Sequence, residues 1–402
     1  MKLLLKNGRF SGGASFSLLE YAKLGRRMGH EVTVHGEFTD GTEKYRDAGV
    51  DQLFDIDKFE SRKPLKNLRL LKHFLHRIQT EKPDVIIAIT EMNVYFTRFI
   101  TMWTGTPALY LIPGSSVFPQ FSVIMKRDEV IVFSEENKQD LLKYHFPVEQ
   151  IHVFPHRLDF TYYPEPDFGT LPKQEKKLNL LLISRLDYDK IHSVYNVFNT
   201  ALELSRSTSR EVTLTIAGEG KNELEVRQKA EEWQNAYGLS VHILGHVPNV
   251  HEQIPDYDMV AGKGRSIIDG LYLGKPGIVV NESYQFKLVT EDNIQELAAY
   301  NFAGRNIESS TDYDELLEYL RVDAETRSRI RDYVVQNYDI NAVSPQIEAM
   351  INERAESRKQ PSWLQKARAL LFLAKMNYYV FKLELWPVIQ EKLKEKRRNK
   401  FG

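Results

Sequence analysis

The sequence has no cysteine in its 402 residues. That excludes disulfide staples, thiolate metal sites and a cysteine nucleophile, and it suits a reducing compartment. An excess of charge of one sign is also missing. The 54 Lys and Arg against 55 Asp and Glu leave a formal net charge of −1, so a whole-molecule nucleic-acid footprint is not expected. Nowhere do about 18 uninterrupted apolar residues occur, the length a spanning helix needs. The opening run Met1–Leu5 ends in Lys6–Asn7–Gly8 and lacks the basic, apolar and small-residue regions of a signal peptide; it reads as a first buried strand. The expectation is a cytoplasmic protein.

What is present is material for two cores. With 42% hydrophobic residues, 20 Tyr and 21 Phe, the composition is that of a folded chain long enough for two α/β domains. Short apolar runs at Met1–Leu5, Val85–Ile89, Ala108–Ile112 and Val130–Phe133, with a further strand at Glu31–His35, alternate with amphipathic helical spacing, as at Leu68, Leu71, Leu75 and Ile78. Such alternation predicts a parallel sheet covered on both faces. The pattern breaks between Phe160 and Lys177 and restarts with Leu178–Ile183, Val212–Ala217, Val241–Leu244, Met259–Ala261 and Gly277–Val280. The predicted fold class is therefore α/β, with two doubly wound, Rossmann-like domains. They span 1–165 and 178–340, are joined by a linker at 166–177, and are followed by a helical return segment and basic amphipathic tail at 341–402.

Three segments carry candidate chemistry. Ser11–Gly12–Gly13–Ala14–Ser15 follows the first strand and opens a helix, where glycines admit a ligand to the backbone and free N–H groups meet an anion. A plain strand-to-helix turn has the same signature. Arg185 and Lys190 follow the first strand of the second unit, at the sheet edge where such folds bind ligands; Arg grips phosphate oxygens bidentately and Lys acts as a point charge. Gly262–Lys263–Gly264–Arg265 precedes a helix that carries Asp269 one turn in. The turn suits a diphosphate and the carboxylate suits ribose hydroxyls, while the plainer role of Asp269 is to complement the helix dipole.

Taken in order from Met1 to Met350, these segments resemble a retaining glycosyltransferase of family 4, of a divergent bacterial polysaccharide-biosynthesis type. The likeness covers the Gly12–Gly13 loop, Gly29–His30–Glu31–Val32, Lys82–Pro83–Asp84–Val85, Val132–Phe133–Ser134–Glu135 and Ile151–His152–Val153–Phe154–Pro155. It continues through Ser184–Arg185–Leu186 with Lys190, Ile216–Ala217–Gly218–Glu219–Gly220, Leu244–Gly245–His246–Val247–Pro248, Asp258 and Gly274–Lys275–Pro276. The resemblance implies a GT-B fold with two domains facing a cleft. It assigns the donor diphosphate to Arg185 and Lys190 as catalytic cations, with Gly12 and Gly13 across the cleft. Gly245, His246 and Val247 would meet the nucleobase, and Asp269, with Gly264 and Arg265, would complete the donor site. It further implies retention of configuration; with Arg185, Lys190 and helix N-termini to stabilise the leaving group, a metal is not demanded and no cofactor is expected.

The sequence departs from that family in three places. Gly262 and Asp269 stand at the ends of its Glu-x7-Glu motif, so the first carboxylate, which orients the donor sugar, is missing, and Arg265 or Lys263 is left to compensate. Ser184 replaces the usual glycine before the arginine. Pro113–Gly114–Ser115 stands where many members place a histidine; Ser115, and Glu91 after the strand Val85–Ile89, are the acceptor-side candidates.

The resulting expectation is transfer of a sugar from a nucleotide-diphosphate donor to a glycan or lipid-linked acceptor in cell-surface polysaccharide assembly, such as capsule or lipopolysaccharide. The alternative is a catalytically silent scaffold or chaperone of a partner transferase. A nicotinamide oxidoreductase is disfavoured because the first turn lacks Gly-x-Gly-x-x-Gly. From Arg354 onward basic residues outnumber acidic ones, and Trp363, Leu370–Leu373, Tyr378–Phe381 and Trp386 interleave with Lys366, Arg368, Lys375 and Lys382. Residues 361–400 therefore read either as a helix on the anionic inner face of the cell membrane or as a helix packed back on the first domain.

Overall fold

The computed structural model describes residues 1–60, 63–114, 125, 128–155, 158–166, 168, 177–208, 210–319, 323–380 and 382. The chain divides into two compact units: Met1–Leu158 with Ile340–Gly402, and Asp159–Asp339.

The first unit is built on seven strands: β1 (Lys2–Arg9), β2 (Glu31–Glu37), β3 (Gln52–Asp55), β4 (Val85–Ile89), β5 (Ala108–Ile112), β6 (Val130–Val132) and β7 (Ile151–Val153). Their spatial order is β3-β2-β1-β4-β5-β6-β7, and every pairing is parallel. The helices between them are α1 (Gly12–Arg27), α2 (Thr42–Asp47), α3 (Pro64–Glu81), α4 (Glu91–Thr104) and α5 (Glu135–Lys143). Continuous apolar strands result because both faces are covered. Leu3 and Leu5 of β1 join one core with Val34, Ile87 and Leu18 of α1, whereas Leu4 joins the other with Ile86, Phe74 of α3 and Phe96 of α4.

The first strand outlasts its apolar run. It continues to Arg9, and Lys6 lies fully buried in it, paired in register with His35 on one side and Ala88 on the other. The Lys6 ammonium sits 5.6 Å from the Phe59 ring and 5.8 Å from the Phe74 ring. It has no hydrogen-bond partner among the described residues. Burial pushes its pKa down to about 7, against an opposing pull from Asp57. Next to it His35, also buried, bonds through Nε2 to Glu81 Oε2 at 3.2 Å, and burial holds its imidazole below the ordinary histidine value.

The second unit contains β8 (Lys177–Ile183), β9 (Glu211–Ala217), β10 (Ser240–Gly245), β11 (Met259–Gly262), β12 (Gly277–Val280) and β13 (Phe286–Leu288). They run in the order β10-β9-β8-β11-β12-β13, with β13 alone antiparallel. Its helices are α6 (Ile191–Thr208), α7 (Glu223–Tyr237), α8 (Arg265–Tyr272), α9 (Ile294–Ala299), α10 (Tyr313–Tyr319) and α11 (Ala324–Tyr338). The unit begins at Asp159, ahead of the boundary expected after residue 165, because residues near Tyr163 pack into it. Phe160 stacks on Tyr272 with centroids 4.0 Å apart, and Tyr163 stacks on His251 at 4.4 Å. Most of the expected linker 166–177 lies outside the described residues.

The chain then returns to the first unit as α12 (Ser344–Glu356) and α13 (Trp363–Val380). Ile347 and Ile351 of α12 enter the core under α1, and Ala369 and Met376 of α13 enter the core at α4. Arg354 pairs with Glu129 at 2.6 Å, and Arg98 of α4 lies over the Phe372 ring. Of the two readings of the tail, packing on the first domain is therefore what Trp363–Val380 does. Its opposite face leaves Trp363, Leu364, Leu370, Leu371 and Tyr378 exposed. Among the described residues no helix is long and apolar enough to cross a membrane. Trp386 and 392–400 lie outside the described residues.

Candidate active site

Each sheet reverses its winding once: β1 and β4 are neighbours in the first unit, β8 and β11 in the second. In open α/β sheets, ligands bind outside the carboxyl ends of the strands at that reversal. The loops found there are Phe10–Ser11 and Thr90 in the first unit, and Ser184–Lys190 and Lys263–Gly264 in the second. Every candidate segment singled out from the sequence except Gly245–Val247, Ser115 and the tail sits at one of these two places.

In the second unit the loops are locked together through backbone. Ser184 donates to Ala217 at 3.2 Å, Leu186 to Glu219 at 2.9 Å, and Gly218 to Gly245 at 2.8 Å. A Cβ at Gly218 would lie 1.8 Å from the Ser184 carbonyl oxygen, and one at Gly220 2.3 Å from the Leu186 carbonyl carbon. The glycines of Gly218–Glu219–Gly220 thus let the β9 loop press onto the Arg185 loop. His246 lies alongside, with Nδ1 3.4 Å from Glu219 Oε1, and Gly245 turns the chain at φ 72°. Val247 is half-buried.

Arg185 is 54% exposed and is held by two carboxylates of its own loop, Asp187 at 2.6 Å and Asp189 at 3.2 Å. The Lys190 ammonium lies 3.6 Å from Asp189. Ion pairs this exposed contribute about 0–1 kcal/mol, so a more highly charged anion would displace them at little cost.

Beside them is a pair that the sequence reading missed. Lys263, 14% exposed, bonds to Glu282 Oε1, which also accepts from Ser193 Oγ at 3.1 Å. Burial pushes Lys263 below the ordinary lysine value, Glu282 opposes that, and the charges of Lys190 and Arg305 add to the lowering. Burial pushes Glu282 up, but the bond and charge of Lys263, its own backbone N–H and the bond from Ser193 outweigh it and leave the carboxyl below its ordinary value. The available signal was position: Glu282 comes two residues after the apolar run Gly277–Val280, at the same sheet edge as Arg185.

The missing carboxylate also needs a corrected position. Only six residues separate Gly262 from Asp269, so a Glu-x7-Glu spacing counted back from Asp269 falls on Ala261. Ala261 is fully buried in β11, between β8 and β12. Gly262 has φ 153°, and a Cβ there would lie 2.4 Å from Ser266 Oγ. Ser266 Oγ in turn accepts from the Lys263 N–H at 3.2 Å and tightens the start of α8. Neither position has room for a new carboxylate without rearrangement.

Asp269 is buried at the base of this turn. Oδ1 accepts from the Tyr163 hydroxyl at 2.7 Å, and Oδ2 lies 3.7 Å from Arg265 Nε. Burial, with the Asp269 charge added, raises the Tyr163 phenol well above its ordinary value. Gly264 caps α8 at φ 60° and donates to Phe302 at 2.9 Å.

In the first unit, α1 starts without a side-chain cap: Ser11 makes no capping bond and its first turn has no acidic residue. The first N–H groups of this 16-residue helix therefore keep their affinity for an anion. Gly12 has φ 79°, and Cβ atoms at Gly12 and Gly13 would meet nothing within 4 Å, so the turn is bare rather than crowded. Below it Asn7 donates to Ser15 Oγ at 3.0 Å, and Tyr45 donates to the Ser15 carbonyl at 2.7 Å. Glu91 begins α4 after Thr90, whose φ is 71°, and accepts from Tyr95 at 2.5 Å. Ser115 lies outside the described residues.

Residues 11–162 match the model of Glycosyltransferase Family 4. Among solved structures the fold is similar to that of a glycosyltransferase from Rickettsia africae (TM-score 0.66, 15% identity, 88% of this chain and 98% of that one). It is also similar to HepE of Anabaena in complex with UDP-glucose (0.65, 17%, 88% and 100%) and to the lipopolysaccharide outer core galactosyltransferase WaaB (0.58, 13%, 88% and 100%). No protein of curated function matches the chain. The chain has the GT-B fold, and its residues 11–162 resemble glycosyltransferase family 4.

Proposed function

We propose that the protein is a retaining glycosyltransferase that moves a sugar from a nucleotide-diphosphate donor to a glycan or lipid-linked acceptor during cell-surface polysaccharide assembly. The observation that carries this is the gathering of Arg185, Lys190 and Lys263 at the winding reversal of the second unit. In the reaction, the bond from the anomeric carbon to the β-phosphate oxygen breaks, and the acceptor hydroxyl bonds to that carbon on the same face. Its proton passes to the departing phosphate. Negative charge grows on the diphosphate as this happens, and preorganised cations stabilise it more in the transition state than in the ground state. Arg185 and Lys190 take that role, with helix N–H groups assisting, so the reading needs no metal. Gly245–Val247 would meet the base, Gly264, Arg265 and Asp269 the ribose side, and Glu91 and Ser115 the acceptor.

HepE of Anabaena is solved with UDP-glucose, which makes a uridine donor the first to try. The exposed apolar residues of α13, beside Arg368 and Lys375, support docking on an anionic cytoplasmic membrane surface. Co-sedimentation of the full chain with anionic and neutral vesicles tests that part separately.

The deciding experiment titrates the full chain with UDP, GDP and their sugars by calorimetry and then follows turnover with NMR of the product anomer. Binding with retention supports the proposal, and inversion removes the retaining mechanism. The absent carboxylate at Ala261 favours a second reading, a silent scaffold. No nucleotide binding at millimolar concentration would select it.

A further inference from the structure

The lost carboxylate of β11 has a neighbour able to replace it. β11 and β12 pair in parallel, with Ala261 opposite Ile278 and Gly262 opposite Val279, so both strands end at one edge. Adjacent strands lie about 4.8 Å apart, well within the reach of a glutamate side chain. Glu282 follows the end of β12 and is held by Lys263, the residue after β11, and by Ser193 of α6. Both donors use the same oxygen, Oε1, and among the described residues no other side chain donates to Oε2. The pair is asymmetric in exposure: the Lys263 side chain is 14% exposed and Glu282 47%. Lysine thus anchors from inside, and the carboxylate faces out at the edge where Arg185 and Lys190 also stand.

We infer that Glu282 is the donor-sugar recognition residue of this chain, accepting hydrogen bonds through Oε2 from hydroxyls of the transferred sugar in place of the carboxylate absent at Ala261. An ionised carboxylate is acceptor-only, which fits vicinal hydroxyls that both donate. Lys263 keeps it ionised and fixes its orientation, and Ser193 removes the remaining freedom of Oε1. The sequence keeps two glycines beside it, and a Cβ at Gly264 would meet only the Asn301 carbonyl oxygen, at 3.6 Å. The sugar ring is therefore not excluded by side chains of that turn. Sites that hydrogen-bond a substrate hydroxyl discriminate strongly, because losing the partner leaves a desolvated group unpaired. The inference rests on the donor site proposed above.

The test compares wild type with Glu282→Gln in the full chain. Its readout is the ratio of affinities for the best-bound nucleotide sugar of a UDP and GDP panel and for its parent nucleotide diphosphate. Gln keeps the shape and can still meet Lys263 through its carbonyl, but loses the charge and turns one end into a donor. The expected result is a fall of about tenfold or more in that ratio, with affinity for the parent nucleotide within about twofold of wild type. Unchanged nucleotide affinity also shows that the variant is folded. Restoration of the ratio by Glu282→Asp would add support. An unchanged ratio, or equal losses for sugar and nucleotide, overturns the role of Glu282 and leaves the donor site standing. If wild type binds no nucleotide at all, the donor-site reading itself fails.

Discussion

Tyr163 donates its phenolic hydrogen to Asp269 Oδ1 at 2.7 Å, across 106 positions of sequence. Arg265 reaches both partners, 3.3 Å from the phenolic oxygen and 3.7 Å from Oδ2. Asp269 is thus a structural hub whatever else it binds. Tyr163→Phe removes the donor and leaves a buried carboxylate oxygen short of a partner, so urea unfolding should show a loss of about 1–3 kcal/mol.

Asp189 competes for the two cations assigned to the diphosphate. Asp189→Asn removes an exposed negative charge beside Arg185 and Lys190. Affinity for a nucleotide diphosphate should rise by a few-fold, about what a surface ion pair is worth. Arg185→Ala and Lys190→Ala should each lower turnover by about a hundredfold or more. Calorimetry and initial rates check both statements, and wild-type rates in both alanine variants would remove the assignment.

Gly262 cannot be exchanged freely. At φ 153° with Ser266 Oγ in the path of a Cβ, Gly262→Ala should cost about 1–3 kcal/mol. Relief of that contact can be tried in the double variant Gly262→Ala with Ser266→Gly. Partial recovery of the melting temperature is the expected outcome.

Lys6 makes stability depend on pH in a defined direction. Its folded pKa of about 7 lies below the ordinary unfolded value near 10.4. Between these two values the folded chain binds fewer protons, so stability rises with pH across that window. The destabilisation is complete below pH 7 and gone above the unfolded pKa. Lys6→Met should abolish this slope and stabilise the protein at pH 6 by a few kcal/mol, on the order of 1.4 kcal/mol for each pH unit of the window. Urea unfolding at pH 6 and pH 9.5 measures it.

Met376 separates packing from membrane attachment. It is fully buried in the core at α4. Met376→Ala should lower stability by about 2–5 kcal/mol without any lipid present. Chemical unfolding of the vesicle-free protein is the measurement.

Much of this architecture could be read from the residues, and the failures have definite causes. Continuous runs such as Val85–Ile89 and Gly277–Val280 announce themselves because strands buried on both faces admit no polar alternation. β3 (Gln52–Asp55) and β13 (Phe286–Leu288) escape because they are short and broken by polar residues, exposed in β3 and half-buried in β13. Lys6 ended the first apolar run, yet the strand continues through it: aromatic neighbours cover a lysine that its type places in water. At the candidate site, the positions of Arg185, Lys190 and the glycine turns at the sheet edge were legible since each follows a strand directly. Glu282, Ser193 and Tyr163 were not. Their meaning comes from partners 19, 89 and 106 positions away, and spacing along the chain does not encode such pairs.

The first unit draws its core from both sides of the second. Ile340, Val343, Ile347 and Ile351 fill one face of its sheet, and Ala369 and Met376 the other. On the ribosome the chain emerges from its amino end at about 5–20 residues per second. All seven strands of the first sheet are therefore made well before the segments that close it. Asp159–Asp339 is contiguous and can finish folding while its elder neighbour still shows an unsealed apolar surface. The unit that begins first is completed last, and until then it is the natural client for a chaperone.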